Sequence, residues 1–156
     1  MKDIKEFTSK CYLFNKVAGK DNLFDKQSIQ EQIDLIKEEV KETQEGLDNN
    51  DLVELADGAI DVLVTTLGLI QKLENLGTDM NKAAKIIADN NLSKFTKDWQ
   101  VVESTIQHYK EKGELVYPTF YNEENLYAIK RIIDNKVMKP VGFVSADLSS
   151  CIPTKH

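Results

Sequence analysis

The stretch Glu38-Glu39-Val40-Lys41-Glu42, followed after a Gly46-Leu47-Asp48-Asn49-Asn50 turn by Glu54-Leu55-Ala56-Asp57 and then Asp61, decides how this chain folds. At about 100° per residue, Ile29, Ile33, Ile36, Val40 and Leu47 fall on one helical face, which is the expected core side. Glu38, Glu39 and Glu42 share an adjoining arc of about 100°, with Lys37 and Lys41 on the other side. In the next helix Glu54, Asp57 and Asp61 form one narrow stripe. Leu52, Leu55, Ala56, Ala59, Ile60, Val62, Leu63, Val64, Leu67 and Ile70 cover most of the remaining circumference, so this helix is expected to be central. No Lys or Arg occurs from Asp51 through Gln71. A solvated acidic face is normally interleaved with basic partners three or four residues away, and this one is not.

Two antiparallel helices that each present carboxylates make a site for a hard divalent cation, Mg²⁺ with Mn²⁺ as a substitute. Without a cation, the same like charges repel and raise one another's pKa. Two ordinary readings stand beside this one. Asp51 and Glu54 have the spacing of a capping box, and Glu-rich helical stripes are usually solvated faces. Each explains one half of the pattern; neither explains both halves on adjacent helices.

Going outward, 156 residues with 41% hydrophobic content suffice for one core, and the expectation is a single domain over 1–156. A net charge of −6 and a pI near 5.0 argue against attraction to nucleic-acid backbone. Cys11 and Cys151 lack metal-ligand spacing and read as reduced thiols. Residues 1–6 are charged and have no signal-peptide apolar run. The most apolar segment, 58–70, is broken by Asp61 and too short for a bilayer. A cytoplasmic protein that does not bind membranes is expected.

The periodicity predicts helices over 3–17, 29–46, 52–76, 78–90 and 98–112. Ser28 is the expected N-cap of the second helix, and Gly46 the residue that closes it. Gly77 and Gly113 end the third and fifth. Ala83, Ala84, Ile87 and Ala88 are expected to face inward, as is the stripe Trp99, Val102, Ile106 and Tyr109. After Gly113, residues 126–132 and 136–138 read as a β-hairpin turning at Asp134-Asn135, followed by an extended arm. The expected fold is therefore all-α: a bundle of about five helices over 3–112, with a small C-terminal β-hairpin and arm over 114–156.

Basic residues gather late in the chain. Asn90-Asn91-Leu92-Ser93-Lys94-Phe95 places amide, hydroxyl and ammonium groups at a helix end, where they suit a phosphate or a plain helix cap. Lys130, Arg131, Lys136 and Lys139 form a cationic group on the hairpin, which also serves as ordinary edge protection. An acidic cluster combined with separate cations suggests a polyphosphate ligand.

In this order the blocks resemble the all-α nucleoside triphosphate pyrophosphohydrolases, the superfamily of MazG, dimeric dUTPases and phosphoribosyl-ATP pyrophosphohydrolase. The signature E-E-x-x-E followed by E-x-x-D stands here as Glu38-Glu39-Val40-Lys41-Glu42 and Glu54-Leu55-Ala56-Asp57. Asp57-Gly58-Ala59-Ile60-Asp61 is similar to the "D-A-x-x-D" form of MazG-like proteins, and Asn91-Leu92-Ser93-Lys94-Phe95 to their "N-M-S-K-F" block. Lys136-Val137-Met138-Lys139-Pro140 resembles "G-K-V-x-K-P" with Asn135 in place of the glycine, and Phe14-Asn15 with Gly19 resembles "F-N-x-x-x-G".

The resemblance implies that Glu39, Glu42, Glu54 and Asp57 are metal ligands. It implies that Glu38, with Glu39 in the catalytic centre, binds a further metal or activates water, and that Asp61 supports the site from one turn on. Asn91 and Lys94 would contact substrate phosphates, with Lys136 and Lys139 as further candidates and Asn15 touching base or sugar. The implied activity is metal-dependent conversion of a (d)NTP to (d)NMP and pyrophosphate by a homodimer or tetramer. The alternatives are a dUTPase or dCTPase of narrow specificity, or a non-enzymatic helical interaction module. Phosphoribosyl-ATP hydrolysis is disfavoured at this point, because residues beyond the fourth helix have no counterpart in that shorter enzyme.

Overall fold

The computed structural model describes residues 3–22 and 24–154; Met1, Lys2, Leu23, Lys155 and His156 lie outside them. The described residues are mainly helical, with five α-helices and one two-stranded antiparallel ribbon among them. Its contacts group into two compact units. One comprises the chain up to Met80 together with its end from Cys151, and the other spans Asn81–Ser150.

In the first unit, α1 (Ile4–Val17), α2 (Lys26–Asp48) and α3 (Leu52–Asn75) are built as the apolar spacing demands. α3 packs against both α1 and α2 and is the central helix of this unit. Cys11 and Cys151 are both buried here, as free thiols. α2 begins earlier than predicted, because Asp25 rather than Ser28 caps it, accepting the Ser28 N–H at 2.7 Å. α2 also runs through Gly46 to Asp48. The left-handed residue that reverses the chain is Asn50, at φ 55°, a conformation asparagine tolerates better than most non-glycine residues.

Gly46 has a different task. A methyl group there would stand 2.7 Å from the Leu55 backbone nitrogen, so its missing side chain is what lets the two helices touch. The apolar face read for α2 is only partly covered: Val40 is 51% exposed and Leu47 54%.

The second unit holds α4 from residue 81 onward (the helix is Met80–Leu92), α5 (Trp99–Glu111), β1 (Val116–Tyr121) and β2 (Leu126–Arg131). Its core is Val102, Ile129 and Met138, ringed by Ile106, Tyr109, Val116 and Tyr127. Of the predicted inward residues on α4, Ala83 is buried, whereas Ala84, Ile87 and Ala88 are exposed. Trp99, nearly half exposed, meets Tyr127 edge-on at 5.3 Å.

The hairpin differs from the prediction in its partner. β2 pairs with the upstream strand β1, with Tyr121 opposite Leu126 and Val116 opposite Arg131. The turn at Asp134-Asn135 exists, but it brings back an isolated bridge, Lys130–Val137, with the Arg131 N–H donating to the Lys136 carbonyl and the Met138 N–H to the Ile129 carbonyl, and no second ladder. Asn135 has φ 58°, which accounts for an asparagine standing where similar sequences carry glycine. Beyond it the arm is tied to α5: Val141 N–H donates to the buried Thr105 hydroxyl at 2.9 Å, and Tyr109 OH donates to the Lys139 carbonyl at 3.0 Å. A 3₁₀ turn at Ser149–Cys151 follows.

Candidate active site

The site begins with the way α2 meets α3. Gly46 lies against Leu55, Gly58 against Thr43, and Gly68 against Gln32. Numbers that fall on one helix and rise on the other mean an antiparallel pair. The buried Gln32 fixes it with a hydrogen bond from Nε2 to the Thr65 carbonyl at 2.9 Å. This register places the carboxylates of α2 across from those of α3.

Glu39 is half-buried and lies at the centre of the group. Its carboxyl is held above the ordinary glutamate value by burial first, then by the negative charges of Asp61, Glu42, Glu38 and Asp57. Four acids from two helices therefore act on one, as the sequence pattern requires. Asp61, half-buried and read from sequence as a support one turn on, is the strongest of these charges. Glu54 is not among them. It sits in the first turn of α3, where its N–H and that of Val53 donate to the Asp51 carboxylate at 3.1 and 2.9 Å. The capping box is only half formed, because Asp51 N–H donates instead to the Gly46 carbonyl at 2.9 Å. The Glu54 side chain is thus not engaged in capping.

Among the described residues no cation forms an ion pair with this group: none of Glu38, Glu39, Glu42, Glu54, Asp57 and Asp61 is in one. The nearby lysines form their ion pairs elsewhere, Lys37 with Asp34 at 2.8 Å and Lys41 with Glu45 at 3.1 Å, although the Lys41 charge also acts weakly on Glu42 and Glu38. Among the described residues, no three Asp, Glu, His or Cys side chains already converge as a finished metal cage. The donor set nevertheless fits a hard divalent ion. It is all carboxylate oxygen, and the mutual repulsion on Glu39 is the strain that a bound cation relieves.

The other predicted residues have partners of their own. In the first unit, Asn15 donates from Nδ2 to Gln71 Oε1 at 2.9 Å, one turn from the Tyr12 OH bond to Glu74 at 2.9 Å. In the second unit, Lys94 Nζ lies 2.8 Å from Asn91 Oδ1, so these two form a local pair at the end of α4. Lys136 is exposed, with its N–H on Asp134 Oδ1 at 3.2 Å. Lys139 stands over the Phe143 ring at 4.9 Å, a cation–π contact. A cavity of this unit is also new to the sequence reading. It is an apolar trough walled by Leu92, Phe95, Phe120, Leu126 and Ala128, with Glu124 and Lys130 also in its lining.

Among the described residues no helix is long and apolar enough to cross a membrane. No curated protein and no solved structure matches the chain. The family model of phosphoribosyl-ATP pyrophosphohydrolase matches residues 16–91, which include all of α2 and α3 and every carboxylate of the cluster. That family belongs to the MazG-like all-α NTP pyrophosphohydrolases, enzymes that hydrolyse phosphoanhydride bonds, and it is this superfamily that the segment is similar to.

Proposed function

We propose that this protein is a divalent-metal-dependent pyrophosphohydrolase that converts a nucleoside triphosphate to the monophosphate and pyrophosphate. The observation that carries this reading is the set of carboxylates from two helices around the half-buried Glu39, none of them in an ion pair among the described residues. Glu39, Glu42, Glu54 and Asp57 would hold Mg²⁺ or Mn²⁺. Such an ion, when bound, neutralises phosphate oxygens and lowers the pKa of water.

The residues of the chain have separable tasks. Glu38, exposed at the edge of the cluster, orients the attacking water and accepts its proton. The water oxygen bonds to the α-phosphorus, the bond from that phosphorus to the bridging oxygen breaks, and pyrophosphate leaves with the bonding pair. Asp61, whose charge acts on Glu39 most strongly, keeps the negative field of the site high. Asn91 and Lys94 are proposed as phosphate-binding groups from their chemistry alone, and Lys136, Lys139 and Asn15 on the same basis. The exposed apolar surface of α2 and α3 supports a homodimer.

A second reading concerns the substrate. The matching family is named for phosphoribosyl-ATP, whose hydrolysis breaks the same kind of bond. The match ends at residue 91, so it does not extend to α5, the ribbon or the arm. Pyrophosphate release measured over the common NTPs and dNTPs, dUTP and dCTP included, and phosphoribosyl-ATP decides between these substrates. One of them should give monophosphate and pyrophosphate in equal amounts with Mg²⁺ or Mn²⁺, and none in excess EDTA. Orthophosphate with a nucleoside diphosphate would place attack at the γ-phosphorus and overturn the reading. A thermal melt separates enzyme from interaction module, since Mg²⁺ with a non-hydrolysable triphosphate stabilises only a protein that binds them.

A further inference from the structure

Gly58 follows Asp57 directly in α3 and is buried. In a helix interior glycine is the poorer choice, so alanine there would ordinarily raise stability. The structure gives the reason for glycine. A methyl group at Gly58 would stand 2.6 Å from Thr43 Oγ1, closer than packed atoms come, and 3.0 Å from Thr43 Cα and 3.1 Å from Thr43 N, tighter than most packed contacts. Two of these are backbone atoms of α2, which cannot rotate away.

The Thr43 hydroxyl is itself committed. It donates to the Glu39 carbonyl at 2.7 Å, one turn back along α2. On α3 the same device recurs: the Thr65 hydroxyl donates to the Asp61 carbonyl at 2.9 Å. Each of the two half-buried acids therefore has a threonine four residues on that hydrogen-bonds its own peptide, a bond that sets the local curvature of a helix. Gly58 presses on the threonine of Glu39, and Gln32 binds the carbonyl of Thr65 at 2.9 Å. By contrast the nearest atoms to a methyl group at Gly68, two turns beyond Asp61, belong to the Gln32 side-chain amide and not to backbone, the closest at 2.8 Å.

We infer that Gly58 is a positioning residue of the metal site: its missing side chain sets the α2–α3 spacing, and through Thr43 the place of Glu39, at which carboxylates of both helices can share one cation. This rests on the pyrophosphohydrolase reading of the cluster. Gly58 touches neither substrate nor metal; it acts through Thr43.

The test is calorimetric titration of Mn²⁺ into the nucleotide-free protein, with melting temperature recorded for each variant. Gly58→Ala weakens Mn²⁺ binding by about tenfold or more, the size of effect seen when support behind metal ligands is removed. Gly58→Ala/Thr43→Ala, which removes the nearest clashing atom but leaves the α2 backbone in the way, recovers part of that loss. Gly68→Ala, a change of the same kind in the same helix pair, stays within about twofold of the parent.

Parent-like Mn²⁺ affinity in Gly58→Ala, with binding intact in the parent, would overturn the role of Gly58 and leave the metal site standing. An equal loss in Gly68→Ala would also overturn it, by showing a general effect of helix packing. A parent protein that binds no Mn²⁺ would overturn the underlying reading and this inference with it. If Gly58→Ala does not fold, the double variant decides: affinity below the parent supports the role, and parental affinity ends it.

Discussion

Glu39 shows what a single side chain records about a site. A carboxylate that is half-buried beside four others is poorly placed for stability, and evolution usually resolves such crowding with a lysine or arginine. Here Lys37 and Lys41 pair away from it, with Asp34 and Glu45. Glu42→Gln and Asp57→Asn keep shape and remove charge, so each should lower kcat by about a hundredfold or more. The melting temperature of the metal-free protein should hold or rise, because repulsion is relieved. Activity in Asp57→Asn within about twofold of the parent would defeat the enzyme assignment, since a solvated surface carboxylate is nearly silent when changed. Lys94→Ala should leave Mn²⁺ affinity intact and raise KM, and an unchanged KM would remove Lys94 from the substrate site. The identities of these acids were legible in the sequence, because their spacing alone puts them on one arc. The prominence of Asp61 was not. It depends on which residue of α2 faces it, and that register is set by Gly46, Gly58 and Gly68, which helical periodicity does not weigh.

Among elements, α2 and α3 were the most legible, being long and strongly patterned. Gly46 misled for a physical reason. A glycine before Leu-Asp-Asn-Asn signals a helix end and a notch for close packing equally well, and only the partner helix distinguishes them. The ribbon was misread similarly. Turn residues stand both at 122–125 and at 134–135, and both places do reverse the chain, with Asn125 and Asn135 at positive φ. Local sequence does not say which reversal carries the ladder. The second is held by Arg131, whose guanidinium lies 2.6 Å from Asp134 Oδ2 and 3.4 Å from Glu114 Oε2. That hydrogen bond, with the Lys136 N–H, draws the Asp134 pKa down to about 2. A lowered carboxylate pKa adds stability that is complete above the ordinary aspartate range and fades as pH falls through it toward the folded value. Carboxyl NMR should therefore give Asp134 a midpoint near 2, and Arg131→Met should move it up into the ordinary range. An ordinary midpoint in the parent would mean the turn is not held by this ion pair.

For the whole molecule, the question left by the fold is what covers α3. Among the described residues of this 24-residue helix, Leu67 is the one large apolar side chain that is buried. Leu52 is 78% exposed and Val53 80%. Alongside lies an apolar groove formed by Val40, Leu47, Leu55, Ala59 and Val62. Covering a Leu, Ile or Val side chain fully is worth about 1.5–3 kcal/mol, so several such residues left open on adjacent helices constitute a strong drive to associate. A second copy is the simplest partner, because two-fold pairing buries the same face on both chains at once. Light scattering at micromolar concentration should return at least twice the chain mass of 17.7 kDa. Leu47→Glu, which puts a charge into the groove from a residue more than half exposed in the single chain, should shift the protein toward monomer. In an isolated chain the same change would be close to neutral, as surface substitutions generally are. A parent mass of 17.7 kDa across the micromolar range would show that the face stays open. The apolar character of α3 would then need an explanation other than self-association.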